Sequence, residues 1–472
     1  MRATRPPKEP VRIQSLSPIA ARSAPPFFWE AATTPAFPAG VPLAPGGAPA
    51  AIELVPRQCT LQPYAKRAIP AFTVTGRAVA YASPDSTYAV TRRLIERAKR
   101  SILVGIYDFT ASYVKEHLLE AMERGVRVSL MLDIDGQGER ALFDDLARHG
   151  AECVPAPSCA SDFVHQFASS HEKVIVIDDA WTLVQSGNYS NNSIPRNEGD
   201  GVVDGAFRFG NRDMGIAVES KELAKFFTEV LRADMKVELL GEGVEGVAER
   251  AAQPETGLLQ SAPRKRPKLV PSLALDLSRA KIQPVLTPDN YMDVVPDLLA
   301  GAKETILIEQ QYIKPSQPLV KRLLEAIRDN PNRPRVRVVL ARPLSRGAAL
   351  SRDLAAIRDL GTFGLALGEQ VRLLDPSQYV HCHNKLVVVD GERVLVGSQN
   401  WSDYAVSRNR EASLLVESRK LADYYAKLFA SDWKGGVREL DARALQPEVF
   451  AIESLGTGNE LVRIDAGDYV EV

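Results

Sequence analysis

The chain has 472 residues, 45% hydrophobic and 25% charged, with a formal net charge of −1. Length alone suggests about three domains, and near-neutral charge weighs against a nonspecific nuclease, which must neutralise many phosphates at once. Cys59, Cys153, Cys159 and Cys382 are few for so long a chain and show no secreted framework, so a reducing cytoplasm is the expected setting.

Residues 1–60 are rich in Pro and Ala and read as a disordered or loosely packed extension. Its early Arg and Lys residues are not followed by an uninterrupted apolar core, so no signal peptide is expected. The apolar stretch Phe37 to Pro56 is broken by Pro and Gly and does not read as a membrane span. Residues 61–240 follow the order helix, strand, helix, strand, then a hairpin of two β-branched runs, Lys173-Val-Ile-Val-Ile-Asp178 and Thr182-Leu-Val-Gln-Ser186. Residues 241–280, which contain Gln253-Pro-Glu-Thr-Gly and the basic run Arg264-Lys-Arg-Pro-Lys268, read as a solvated connector. Residues 281–440 repeat the order of the first segment. Their hairpin is Lys385-Leu-Val-Val-Val-Asp390, a turn at Asp390-Gly391, and Val394-Leu-Val-Gly-Ser398. Residues 441–472 form a short, uninformative tail.

The repetition is detailed. Ala98-Lys99 with Ile102-Leu103 recurs as Ala302-Lys303 with Ile306-Leu307, and Pro84-Asp85 as Pro288-Asp289, both 204 positions later. His171, Lys173, Asp178, Ser186 and Asn188 recur 212 positions later as His383, Lys385, Asp390, Ser398 and Asn400. Asn211-Arg-Asp213 recurs as Asn409-Arg-Glu411 at an offset of 198, which places a 14-residue insertion in the first half, near Pro195 to Gly210. Alternating strands and helices argue an α/β class: two lobes related by a pseudo-twofold, each a mixed, largely parallel sheet flanked by helices. The site should lie between them.

Side chains alternate along a strand, so His171 shares a face with Lys173, and His383 with Lys385, with Ser and Asn of the adjoining strand end nearby. A phosphodiester resists attack because it is anionic. Its transfer needs a nucleophile, an acid for the leaving group, and donors that neutralise the phosphoryl oxygens. One imidazole can attack phosphorus and form a phosphohistidine while a second, protonated, serves the leaving oxygen. Lys173, Lys385, Asn188 and Asn400 are the expected clamp, with Ser186 and Ser398 as substrate contacts. Asp213 and Glu411 are expected to accept from the same-lobe histidine, with Glu198 the alternative in the first lobe. Asp178 and Asp390 sit at far strand ends and are assigned structural roles. Spacing does not reveal which histidine attacks. No metal ligand set and no cofactor motif appears.

Paired H-x-K-x4-D motifs, each followed by Ser-x-Asn and a later Asn-x-acid, resemble the phospholipase D superfamily over residues 75–435. The second copy, Gly397-Ser-Gln-Asn400 with Glu411, matches fully. The first departs, with Gln185 in place of the leading Gly and Asp213 in place of Glu. The resemblance implies a phosphodiesterase or phosphatidyl transferase in which His171 is the nucleophile and His383 the acid and base. Phospholipid head groups are the expected substrate, with peripheral membrane contact from the cytoplasmic side and both half-sites in one monomeric chain. A metal-independent endonuclease on nucleic acid, a cardiolipin-synthase-like transferase and an inactive phosphate-binding descendant stand as alternatives. Arg196, Arg208, Arg212, Arg342, Arg346, Arg352, Arg408 and Arg410 are candidates for a basic cleft, weighed evenly against scattered surface pairs. His381, Trp401, Tyr404 and Tyr189 are candidate pocket residues for which ordinary packing is the competing reading.

Overall fold

The computed structural model describes residues 59–134, 137–201, 206–240, 265–343, 345 and 347–440. The N-terminal extension, apart from Cys59 and Thr60, the connector up to Arg264, and the tail lie outside the described residues. The first lobe runs β1 (Phe72–Ser83), α1 (Thr87–Arg97), β2 (Ser101–Ile106), α2 (Ser112–Glu123), β3 (Arg127–Leu132), α3 (Gln137–Arg148), β4 (Glu152–Pro155), β5 (Lys173–Ile177), β6 (Trp181–Gln185), β7 (Asp213–Glu219) and α4 (Lys221–Leu239). The second runs β8 (Leu273–Thr287), α5 (Tyr291–Ala300), β9 (Thr305–Gln310), α6 (Pro318–Arg328), β10 (Arg335–Leu340), α7 (Gly347–Asp359), β11 (Val371–Leu373), β12 (Lys385–Val389), β13 (Arg393–Gly397), α8 (Asp403–Ser407), β14 (Glu411–Glu417) and α9 (Arg419–Gly435). Since β8 starts at Leu273, the last part of the expected connector belongs to the second lobe.

Among the described residues, all strands join one 14-stranded sheet, ordered β11-β10-β9-β12-β13-β14-β8-β1-β7-β6-β5-β2-β3-β4. Outward from the central β8–β1 pair the two sides are equivalent strand for strand, so the pseudo-twofold runs between β1 and β8, which pair antiparallel. The expectation of largely parallel lobes is corrected here. Among the named strands, parallel pairing is confined to β2–β3–β4 and β9–β10–β11, where a helix carries the chain back across the sheet. The other strand pairs are antiparallel: tight turns join β5 to β6 and β12 to β13, and longer connections return the chain for β6–β7 and β13–β14.

Two local devices fix the motif strands. Asp178 and Asp390 adopt φ of 53° and 55°, a left-handed conformation that Asp tolerates. The Asp178 carboxylate accepts from the backbone N–H groups of Lys99, Arg100 and Ser101, and Asp390 from those of Lys303, Glu304 and Thr305. Each motif hairpin is thereby pinned to the start of β2 or β9. The second device is the helix after the carboxylate strand. Ser220 caps α4 by accepting from Leu223 N, and Ser418 caps α9 from Leu421 N. The buried stripe of α4, Leu223, Phe227, Val230, Leu231 and Met235, includes Asp234, and that of α9, Leu421, Tyr425, Leu428, Phe429 and Trp433, includes Asp432.

Candidate active site

Short backbone ladders cross between the lobes just ahead of β7 and β14. His171 N donates to Arg410 O at 2.8 Å and Arg410 N to Ser169 O at 2.8 Å. Likewise, His383 N donates to Arg212 O at 3.0 Å and Arg212 N to His381 O at 2.8 Å. Each carboxylate-bearing strand end therefore lies beside the other lobe's histidine. His171 Nδ1 bonds Glu411 Oε2 at 2.8 Å, and His383 Nδ1 bonds Asp213 Oδ1 at 2.9 Å. The same-lobe pairing expected from sequence is thus corrected to a crossed one, because the pseudo-twofold brings the two β-sheet halves edge to edge. Both rings are buried in this single seam.

The crossing is held by two buried arginine cages. Arg212, one residue before Asp213, forks onto Asp432 (Nε to Oδ2 2.7 Å, Nη2 to Oδ1 2.9 Å), donates to Asp85 at 2.7 Å and Ser83 O at 3.1 Å, and meets Tyr379 Oη at 2.6 Å. Arg410, one residue before Glu411, repeats this with Asp234 (2.8 and 3.0 Å), Asp289 (2.8 Å), Thr287 O (3.2 Å) and Tyr64 Oη (2.9 Å). These guanidiniums belong to the frame of the site, not to a basic cleft. A buried charge survives only when paired and fully bonded. Sequence reading missed the cages, although Asp234-x-Lys and Asp432-x-Lys repeat at the same 198-residue offset and place a carboxylate on an otherwise apolar helix face.

Around the imidazoles, Lys173 Nζ donates to His171 O at 2.7 Å, and Lys385 Nζ to His383 O at 2.8 Å and Gln311 Oε1 at 3.1 Å. Asn188 and Asn400 are buried. Ser186 Oγ donates to Asp213 Oδ1 at 2.8 Å and accepts from Met214 N at 3.0 Å, and Ser398 Oγ accepts from Ala412 N at 2.9 Å. The hydroxyls expected on substrate thus brace the carboxylate strands. Burial opposes the charge of Asp213, yet the His383 ring, Lys385 and Ser186 outweigh it and hold its carboxyl below the usual carboxylate range. An anionic Asp213 accepts the Nδ1 proton, which directs chemistry to Nε2. Tyr107 packs edge-on against His171 at 4.7 Å between centroids, and Gln311 takes its place in the second lobe.

The family described as "Cardiolipin synthase, PLD-like domain" matches residues 91–235 and 295–433, more than half of the chain. The chain belongs to the phospholipase D-like family. Curated relatives include the DISARM protein DrmC of Bacillus paralicheniformis, 32% identical over 117 residues (24% of this chain, 46% of the relative). The mitochondrial cardiolipin hydrolase of Danio rerio is 34% identical over 58 residues, 12% of this chain and 26% of the relative. The phospholipase D of Rickettsia prowazekii is 44% identical over 43 residues, 9% of this chain and 21% of the relative. The chain thus spans less than half the length of each. Among solved structures, the phosphatidylserine synthase of Haemophilus influenzae shares the fold with a TM-score of 0.52 at 15% identity, over 78% of this chain and 87% of that one.

Where this phospholipase D-like chain departs from the motif, packing accounts for it. Gln185 faces Gly215 across β6–β7, whereas Gly397 faces Ser413 across β13–β14. Each pair holds one glycine: a Cβ on Gly215 would collide with the Tyr81 ring, and one on Gly397 with Ser413. Gln185 accepts from Tyr81 Oη at 3.0 Å and donates to Gly187 O at 2.7 Å. Glu198, the alternative partner, sits instead on Arg92 and Arg196 at the outer end of the insertion. His117 bonds Tyr88 Oη at 2.9 Å, His149 bonds Asp145 O at 2.8 Å and His165 bonds Ser161 O at 3.0 Å, all outside the site. Trp401 is buried against Tyr291 Oη, Tyr189 against Phe109, and exposed Tyr404 lies under Arg408. Cys59 and Cys159 are joined in a disulfide that the sequence reading did not foresee; a pairing across 100 residues is tertiary and leaves no spacing signal.

Proposed function

We propose that the protein cleaves phosphodiesters of phospholipid head groups through a phosphohistidine, with water or an alcohol as final acceptor. The observation that carries this reading is the crossed pair of buried, carboxylate-oriented imidazoles in one seam, each with a lysine held at the histidine's own carbonyl. His171 Nε2 attacks phosphorus, the bond to the leaving oxygen breaks, and His383 Nε2 gives that oxygen its proton. His383 then takes a proton from water or alcohol, whose oxygen attacks phosphorus and releases His171. Glu411 and Asp213 keep each ring's Nδ1 protonated, and the Lys and Asn side chains neutralise the nonbridging oxygens as charge builds. Two ammonium groups supply the positive charge the step needs, so activity is expected to survive chelators. The lipid reading draws support from relatives named as a cardiolipin hydrolase and a phospholipase D. No helix among the described residues is long and apolar enough to cross a membrane, so the chain is proposed to meet lipid peripherally. The test is incubation of the full chain, in chelator, with phosphatidylcholine or phosphatidylglycerol vesicles and, in parallel, with single-stranded and plasmid DNA. Head-group release supports the proposal; strand scission alone overturns the lipid substrate, and neither product overturns the enzymatic reading.

A further inference from the structure

The two arginine cages are alike except in where their tyrosine comes from. Tyr379, which meets Arg212, is supplied from within the second lobe, by the loop that leads into His383. Tyr64, which meets Arg410, comes from a strap ahead of β1, residues 59–71. The Tyr64 hydroxyl donates to Asp289 at 2.9 Å and accepts from Arg410 at 2.9 Å, and Arg67 N adds a bond to Asp289 at 2.7 Å. Arg410 lies against a pair of rings that touch each other, 5.2 Å from the Tyr64 centroid and 4.3 Å from that of Phe167, with the two centroids 5.3 Å apart. Phe167 stands on the loop that ends at His171, and that loop is where the strap is fastened. Gln62 N donates to His165 O at 2.8 Å, and Cys59 is bonded to Cys159. Both cysteines are half-buried, so a small dithiol can reach the bond.

We propose that the Cys59–Cys159 disulfide is a redox-opened clasp on the His171 half-site, with Tyr64 as the positioning residue that carries its state through Arg410 to Glu411. Resting on the phosphodiesterase reading above, this assigns control to one half-site and leaves the other independent of it. Opening takes two electrons and two protons from a dithiol, which is itself oxidised to a disulfide; the S–S bond breaks and two cysteine thiols form. A freed strap loses its covalent tie to the loop before His171 and gains local freedom, and Tyr64 is withdrawn from the cage. Arg410 then loses one acceptor and one ring, and the ladder that holds Glu411 against His171 loosens. The closed state belongs to oxidising surroundings, and a reducing cytoplasm would hold the half-site open.

The test compares the full chain before and after treatment with dithiothreitol, alongside Cys59→Ser/Cys159→Ser and Tyr64→Phe. Hydrogen exchange, which needs no activity, should quicken at residues 167–171 and 408–411 on reduction, and stay unchanged at the equivalent 379–383 and 210–213. With bis(p-nitrophenyl) phosphate as probe, kcat should fall about tenfold with KM little changed, as expected when a supporting contact is lost and the substrate contacts remain. The oxidised Tyr64→Phe variant should match the reduced parent and respond no further to dithiothreitol. Equal exchange in both half-sites, or none in either, overturns the clasp. So does a reduced protein that merely unfolds at lower urea while its native fraction keeps full kcat. Absence of any turnover in the oxidised parent would overturn the phosphodiesterase reading instead, and the exchange pattern would still decide the clasp.

Discussion

The crossed pairing can be measured as a coupling energy. For Asp213 and His383 at 2.9 Å, unit charges at an effective dielectric constant near 20 attract by about 6 kcal/mol, and desolvation of two buried groups removes much of that. A charge-assisted hydrogen bond of this kind retains about 1.5–3 kcal/mol. Replacing Asp213 by Asn and His383 by Gln, singly and together, should therefore give a coupling of that size in urea denaturation near pH 6. The same cycle on Glu411 and His171 should match it. By contrast the same-lobe cycles, Asp213 with His171 and Glu411 with His383, should couple by less than about 0.5 kcal/mol, as groups without a shared bond do. Each single carboxamide variant should also lose about 10²–10⁴ in kcat, because the ring is no longer held in the required tautomer. Larger coupling within a lobe than across lobes would refute the crossed arrangement.

Three further outcomes are expected. Asp432→Ala leaves Arg212 buried with part of its cage gone and should cost about 3–5 kcal/mol; Arg212→Lys, which keeps the charge but not the fork, should fail nearly as badly in thermal denaturation. Glu172 is buried against Ser170, and burial pushes its carboxyl up to about 8. Unfolded, the same group titrates near about 4.3, so the folded chain holds the proton more tightly. Its stability contribution is intact below about pH 4 and drains away as pH rises towards about 8, on the order of 4–5 kcal/mol in all. Glu172→Gln should flatten that slope in urea midpoints taken from pH 5 to 9; an unchanged slope would refute the assignment. Asp390→Ala removes three backbone contacts and should cost about 1–3 kcal/mol. Backbone donors and Arg393 outweigh burial and hold that carboxyl below the usual carboxylate range, so its contribution is present above about pH 4 and is lost only as pH falls through the folded value.

Much of the site was legible because duplication writes the same residues twice. His, Lys, Ser and Asn of both motifs, the two pinning aspartates, and the preference for Asp213 over Glu198 all follow from matched offsets and strand alternation. What a repeat cannot tell is whether partners are taken within a copy or exchanged between copies, since both arrangements have the same sequence; His171 with Glu411 is decided by the β8–β1 seam alone. Strand direction failed for a related reason. Helical crossovers suggest parallel strands throughout, whereas β5 and β6 form a hairpin and β7 returns antiparallel after a long connection with no helix among its described residues. The arginine cages were hidden because Arg212 and Arg410 look like surface charges in a loop, and their partners Asp85, Asp289, Asp234 and Asp432 lie far away in sequence. Gln185 departs from the motif's glycine, and nothing in the sequence marks Gly215 as the residue it faces.

The most direct test of the central claim is the intact mass, taken without an acid quench, of protein briefly exposed to a short-chain phosphatidyl-p-nitrophenol, whose leaving group departs without a proton from His383, comparing the parent, His171→Ala and His383→Ala. Two imidazoles sharing one ester in successive steps should leave His383→Ala carrying a phosphatidyl adduct that maps to His171 and is lost in acid, while His171→Ala carries none and releases no p-nitrophenol. An adduct on neither variant together with undiminished p-nitrophenol release in either would contradict the account, and an adduct confined to His383 in the His171→Ala protein would reverse the two roles.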